Sequence, residues 1–111
     1  MRGFATAYGA RIDVEIRDIF SVLRNAEEQT KAMAETAAEL FGADKVVTDA
    51  DPKMGSEDFA DMSMVAPGAY VWIGMGPGAA VHNGAYQFND DILPLGASLL
   101  ARVAEKRLAA G

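Results

Sequence analysis

Two short stretches of this chain hold residue types that can do chemistry. Residues 81–96, VHNGAYQFNDDILPLG, carry the single histidine, His82, followed by Tyr86 and Phe88 and by the acidic pair Asp90 and Asp91. Residues 54–59, MGSEDF, set Ser56, Glu57 and Asp58 side by side after a glycine. A neutral imidazole can ligate a metal ion or carry a proton near neutral pH, and neighbouring hydroxyl and carboxylate groups can hold such a ligand in place. Both stretches also have plainer readings. A lone imidazole is by default a surface or satisfied core side chain, and Asn83-Gly84 between apolar flanks predicts a tight hairpin with both residues at positive φ. Ser56, Glu57 and Asp58 equally read as a helix cap with acidic first-turn residues that favour the helix dipole.

Composition narrows the classes of function. With 111 residues, half of them apolar and 23% charged, the chain suits one soluble domain with a modest core. Its formal charge of −6 argues against nucleic acid or an anionic membrane as partner, since both select basic surfaces. Cysteine is absent, which excludes a disulfide framework and thiolate metal ligands. No run approaches the roughly 18 continuous apolar residues of a membrane span, and Met1-Arg2 leads into no signal-peptide core, so a cytoplasmic protein is expected. There is no internal repeat, and no linker long enough to divide the chain.

The elements that must position these residues follow from periodicity. Residues 3–8 read as a tail, with Gly9 able to end a helix. From Arg11 to Arg17 the alternation is clean: Ile12, Val14 and Ile16 face one way, and Arg11, Asp13, Glu15 and Arg17 the other. That is the pattern of a half-buried strand. A single strand cannot pair with itself, so residues 12–16 require a neighbour, and a homo-oligomer formed through them is expected. Asn25 is a candidate cap for a helix over residues 26–41, striped by Thr30, Met33, Ala37, Leu40 and Phe41 and ended by Gly42. Val46 and Val47 suggest a short strand. A short helix begins near the MGSEDF stretch and stops before Pro67-Gly68.

Tyr70, Val71, Trp72 and Ile73 form a nearly continuous β-prone run, the best candidate for a central strand buried on both faces. Gly74, Gly76, Pro77 and Gly78 follow it as a turn, without the spacing of a dinucleotide or phosphate loop. Tyr86 and Phe88, at period two, predict a short extended segment that carries His82 toward a helix start. Asn89, Asp90 and Asp91 supply the cap of that final helix, Pro94 fits its first turn, and Ile92, Leu95, Leu99, Leu100, Val103 and Leu108 stripe it. It should lie across the central strand.

Taken together, Asn25, the MGSEDF stretch, the Pro-Gly-Ala-Tyr at residues 67–70 and VHNGAYQFNDDILPLGASLLARV resemble the C-terminal part of the zinc-type aminoacylase and carboxypeptidase superfamily, specifically its hippurate hydrolase-like amidohydrolases. The resemblance runs from about residue 11 to residue 108. It implies an α/β fold, part of a three-layer sheet-and-helix catalytic domain over residues 25–111, with residues 1–24 the tail of an inserted lid domain that also dimerises. The partnerless strand at 12–16 would then pair with lid strands encoded upstream.

The resemblance further implies that His82 is a metal ligand, and that Ser56, Glu57 and Asp58 lie on the substrate side of the site or support its ligands. The full-length enzyme would use a divalent metal, zinc or else manganese or cobalt, to activate water for attack on the amide of a small N-acyl amino acid, a glutamate taking the proton. The other ligands and that glutamate lie upstream in the family. One imidazole does not make a catalytic metal site, so this chain alone is expected to bind no metal stably and to be inactive. The competing expectation is a non-catalytic α/β oligomerisation or binding module that retains only the scaffold.

Overall fold

The computed structural model of the protein describes residues 2–109. Helix α1 spans Arg2–Tyr8, α2 Glu27–Phe41, α3 Phe59–Val65 and α4 Leu93–Ala109, with single 3₁₀ turns at Ala43–Lys45 and Asp90–Ile92. The segment at residues 3–8, read as a tail, is thus helical, and Gly9 ends it at φ 60°.

Helix α2 forms where the sequence places it. Glu27 and Glu28 sit in its first turn, where carboxylates meet the positive end of the dipole. Gly42 stops it at φ 97°, an angle that side-chain-bearing residues rarely adopt, and the Gly42 N–H closes onto the Ala38 carbonyl at 2.9 Å. Asn25, however, is not its cap. The cap position belongs to Ala26, which offers no side-chain bond.

Helix α2 packs against α4 rather than on a sheet. The buried positions of the pair are Thr36 on α2 and Leu99 on α4, at 2% and 4% exposure. Thr36 tolerates burial because its hydroxyl donates back to the Ala32 carbonyl at 2.7 Å, leaving only its methyl to be desolvated. At the rim, Glu39 accepts from Arg102 at 2.9 Å and from Lys106. The Lys106 ammonium, then the Arg102 guanidinium, hold the Glu39 carboxyl below the usual carboxylate range.

Among the described residues there is no strand, which corrects the α/β, three-layer expectation. Residues 11–17 have no regular structure, and Ile16 is 84% exposed. Val46 has extended angles but Val47 projects into solvent, and the central-strand candidate at residues 69–74 is irregular. The physical reason is common to all three. An alternating or β-branched pattern makes a segment able to pair, but a ladder needs a second backbone at hydrogen-bonding distance, and none lies alongside. Accordingly α4 lies on α2, and the Ile73 side chain lies against Gly96 of α4.

The consequence is an open shape. The radius of gyration is 20.4 Å, against about 13 Å for a compact chain of roughly 100 residues. No helix among the described residues is long and apolar enough to cross a membrane. Replacing Leu99 by Ala is expected to lower unfolding stability by about 2 kcal/mol or more, the low end for a buried leucine, while Leu100→Ala on the exposed side changes it by less than about 0.5 kcal/mol. Urea titration of the helical circular dichroism signal measures both, and equal effects would contradict the α2–α4 packing.

Candidate functional site

The region before α3 is organised from Asn25. Its side-chain amide donates to the Tyr70 carbonyl at 2.8 Å and accepts from the Tyr70 N–H at 2.8 Å, while the Ala26 N–H donates to the Gly68 carbonyl at 2.9 Å. A carboxamide carries the same donor and acceptor as a peptide unit, so the Asn25 side chain meets the Tyr70 backbone as a second peptide would. This sets residues 68–70 beside the start of α2.

Tyr70 in turn holds the acidic stretch. Its hydroxyl donates to Glu57 Oε2 at 3.0 Å, and Glu57 Oε1 lies 3.4 Å from the Phe59 amide nitrogen at the start of α3. The Phe59 ring is tilted against that of Tyr70 with centroids 5.7 Å apart. Gly68 is required here: a Cβ would stand 2.8 Å from Phe59 Cζ. The hydrogen bond to the Glu57 carboxylate, then partial desolvation, raise the Tyr70 phenol above its ordinary range. Helix α3 is short and ends before Pro67-Gly68, as the sequence predicts, but its cap residue Asp58 makes no side-chain capping bond. Ser56 and Asp58 are exposed on the same loop, on either side of the held Glu57.

His82 occupies a different turn. The Asn83 N–H donates to the Ala80 carbonyl at 3.1 Å, closing a β-turn, and the Tyr86 N–H donates to the Asn83 carbonyl at 3.0 Å, closing a second. His82 is the third residue of the first turn, with φ 67°, the only positive value on a non-glycine among the described residues. Neither Asn83 nor Gly84 has positive φ, so the hairpin signal of that pair is not realised. The imidazole is exposed and makes no hydrogen bond or ion pair within the described residues.

Next to this turn, residues 75–79 and 85–89 border an open hollow of about 460 Å³, lined among others by Met75, Pro77, Gln87 and Phe88. Asn89 ties the two runs together. Its amide donates to the Met75 carbonyl at 3.1 Å, and its oxygen accepts from the Asp91 N–H at 3.0 Å, so it is the cap that the sequence predicts. Tyr86, expected to pack one face of a short strand, instead donates its hydroxyl to Met75 Sδ at 3.3 Å.

These contacts do not assemble a metal centre. No three His, Asp or Glu side chains among the described residues are grouped closely enough to hold an ion. His82 suits the role of one contributed ligand, but its donor set alone does not fit a catalytic metal, which needs about three protein ligands. Two contributors escape sequence reasoning. Tyr70 reads as part of a β-prone run and of the Pro-Gly-Ala-Tyr motif, without a role at the site, and the partner of Asn25 lies 45 residues away, with no local signal to mark it.

Residues 4–106 match peptidase family M20/M25/M40, and the chain belongs to that family. Members of this family are generally metal-dependent. Over 107 residues the chain is 32% identical to the hippurate hydrolase of Campylobacter jejuni subsp. jejuni serotype O:2, covering 96% of this chain and 28% of that protein. It is 34% identical over 77 residues to IAA-amino acid hydrolase ILR1-like 4 of Arabidopsis thaliana, covering 65% of this chain and 17% of the plant protein. ILR1-like 5 from the same plant is 40% identical over 62 residues, 51% of this chain and 14% of its own. The chain thus spans less than a third of the length of these relatives. No solved structure matches it.

Three outcomes follow from the contacts around Tyr70. Asn25→Ala removes two hydrogen bonds, each worth about 1 kcal/mol net, and is expected to speed hydrogen exchange at the Tyr70 amide while leaving the α4 amides slow. Glu57→Gln is expected to move the Tyr70 ultraviolet titration down toward about pH 10, the ordinary phenol value. Because the folded pKa of Tyr70 is raised, its stabilising contribution is complete below the unfolded value near pH 10. It is lost as pH rises through the folded value. Above about pH 10, denaturation midpoints should therefore fall more steeply with rising pH in the wild type than in Tyr70→Phe.

Proposed function

We propose that this chain is the C-terminal portion of a metal-dependent amidohydrolase that cleaves N-acyl amino acids. In this reading residues 25–111 belong to the catalytic domain and residues 1–24 end the lid. The observation that carries it is His82, displayed on a tight turn at positive φ with no partner of its own. Holding a non-glycine residue there costs on the order of 1 kcal/mol, and such costs concentrate where geometry serves a ligand. Family membership and the names of the relatives support the same reaction class.

The chain's own residues would act by position. His82 contributes one imidazole to a centre whose remaining donors come from outside these residues. When bound, the metal supplies the Lewis acidity that the amide carbonyl needs. Glu57, fixed by the Tyr70 hydroxyl, holds the loop on which Ser56 and Asp58 present a hydroxyl and a carboxylate toward substrate.

A chimera tests this. The Campylobacter hippurate hydrolase, with its matching 107 residues replaced by this chain, is expected to hydrolyse N-benzoylglycine. His82→Ala in the chimera should reduce both metal content and hydrolysis by at least the roughly 10–100-fold that loss of even a supporting contact costs. The chain alone, given zinc, manganese or cobalt, should hydrolyse nothing. A folded but inactive chimera, an unaffected His82→Ala variant, or chelator-sensitive hydrolysis by the pure chain would each refute the reading.

A further inference from the structure

The three asparagines of the chain differ in what their carboxamides are bonded to. Asn25 uses both its oxygen and its nitrogen on Tyr70, and the Asn89 nitrogen donates to the Met75 carbonyl at 3.1 Å. Among the described residues the Asn83 side chain bonds only through its oxygen, which accepts from the Ala85 N–H at 2.9 Å. Asn83 is exposed, and so is the residue after it, Gly84, where even an added Cβ would meet nothing within 4 Å.

This turn prepares a reaction between neighbours. A side-chain oxygen that accepts from the N–H two residues on folds its carbonyl carbon back over the intervening peptide, whose nitrogen here belongs to Gly84. Holding two groups together in this way replaces a chance encounter by an intramolecular one. The Gly84 N–H donates to no group among the described residues, so no bond has to break before hydroxide removes its proton. As that nitrogen closes on Asn83 Cγ, negative charge develops on Oδ1, the oxygen that the Ala85 N–H already holds. Glycine contributes twice, by allowing the backbone twist that ring closure demands and by placing no side chain beside the attacking nitrogen.

We propose that Asn83-Gly84 is a site of spontaneous covalent modification, at which Asn83 is converted to isoaspartate and aspartate through a cyclic imide. The Gly84 nitrogen bonds to Asn83 Cγ, the Cγ–Nδ2 bond breaks, and the departing nitrogen takes up a proton and leaves as ammonia. Water then opens the ring. Attack at Cγ restores the original backbone and leaves an aspartate. Attack at the former peptide carbonyl leaves Gly84 joined through Cγ, with the backbone longer by one carbon. In that second product the Asn83 carbonyl, which accepts from the Tyr86 N–H at 3.0 Å, becomes a free carboxylate, and the turns that give His82 its φ of 67° lose their geometry. The step itself does not depend on what the imidazole binds.

The test incubates the purified whole chain at mildly alkaline pH and follows each asparagine by protease digestion and mass spectrometry. A protein-isoaspartate methyltransferase serves as the probe for the lengthened backbone. Asn83 is expected to convert at least about tenfold faster than Asn25 or Asn89, a barrier difference of roughly 1.4 kcal/mol, with isoaspartate among the products. Gly84→Ala, which crowds the nucleophile, and Ala85→Pro, which deletes the N–H on Oδ1, should each slow conversion by a similar factor. The helical circular dichroism signal checks that both variants are folded. In the converted chain the Tyr86 amide is expected to exchange roughly tenfold faster, whereas Asn83→Asp, with the charge but not the added carbon, keeps it protected. Conversion of Asn83 no faster than that of Asn25 and Asn89, conversion without isoaspartate, or an unchanged rate in both folded variants overturns the proposal. A chain that converts at Asn83 but yields an inactive chimera counts against the catalytic reading and leaves the modification standing.

Discussion

The arrangement of this chain depends on one side-chain amide standing in for a peptide. Asn25 reaches across 45 residues of sequence to satisfy both backbone groups of Tyr70, and the adjacent Ala26–Gly68 bond ties the same two segments together. Aspartate could accept from the Tyr70 N–H but would set a second acceptor against its carbonyl, and alanine would offer nothing. Only a carboxamide on a short stem has the right pair of groups at this distance. Everything on the α3 side follows from it. Tyr70 is fixed, so its hydroxyl is placed to hold Glu57, and its ring forms one wall for Phe59 above the bare Gly68.

A second, independent support joins the two long helices. The α2–α4 contact has a small buried centre, so its geometry relies on Thr36 satisfying itself and on Glu39 drawing two cations from α4. Those ion pairs are largely solvated, and pairs of that kind add little free energy. They fix the rotation of one helix against the other more than they hold the two together. Asn89, capping the turn before α4 while bonding the Met75 carbonyl, connects this helical pair to the loops around His82. The chain therefore consists of two small clusters joined by loops, which accounts for its elongation.

What could be read in the sequence was what local chemistry decides. The extent of α2 and its stop at Gly42, the short α3 before Pro67, and the Asn89 cap with Pro94 in the first turn of α4 are each set within a few residues, and each is found. The strands were misjudged for the opposite reason. The alternation of Ile12, Val14 and Ile16 and the run from Tyr70 to Ile73 state a capacity to pair, and pairing is settled by a second backbone that local pattern cannot supply. Asn25 was misread in the same way. Its type suits a cap, and nothing nearby reveals that its amide is spent on a distant residue.

The turn at His82 shows how two local preferences can compete. Asn83-Gly84 would accept positive φ at little cost, glycine most of all, yet neither residue takes it. The Asn83 side chain instead accepts from the Ala85 N–H at 2.9 Å, and its backbone serves two successive turns, as donor to Ala80 and acceptor from Tyr86. With Asn83 held in both directions, the reversal of the chain falls on the residue before it, at the position where a type II turn needs positive φ. His82 is thus oriented by the backbone on its C-terminal side, and its imidazole is not tied down by contacts of its own. A side chain placed in this manner keeps both ring nitrogens open to a group from outside the chain, which an imidazole anchored by its own hydrogen bonds could not do.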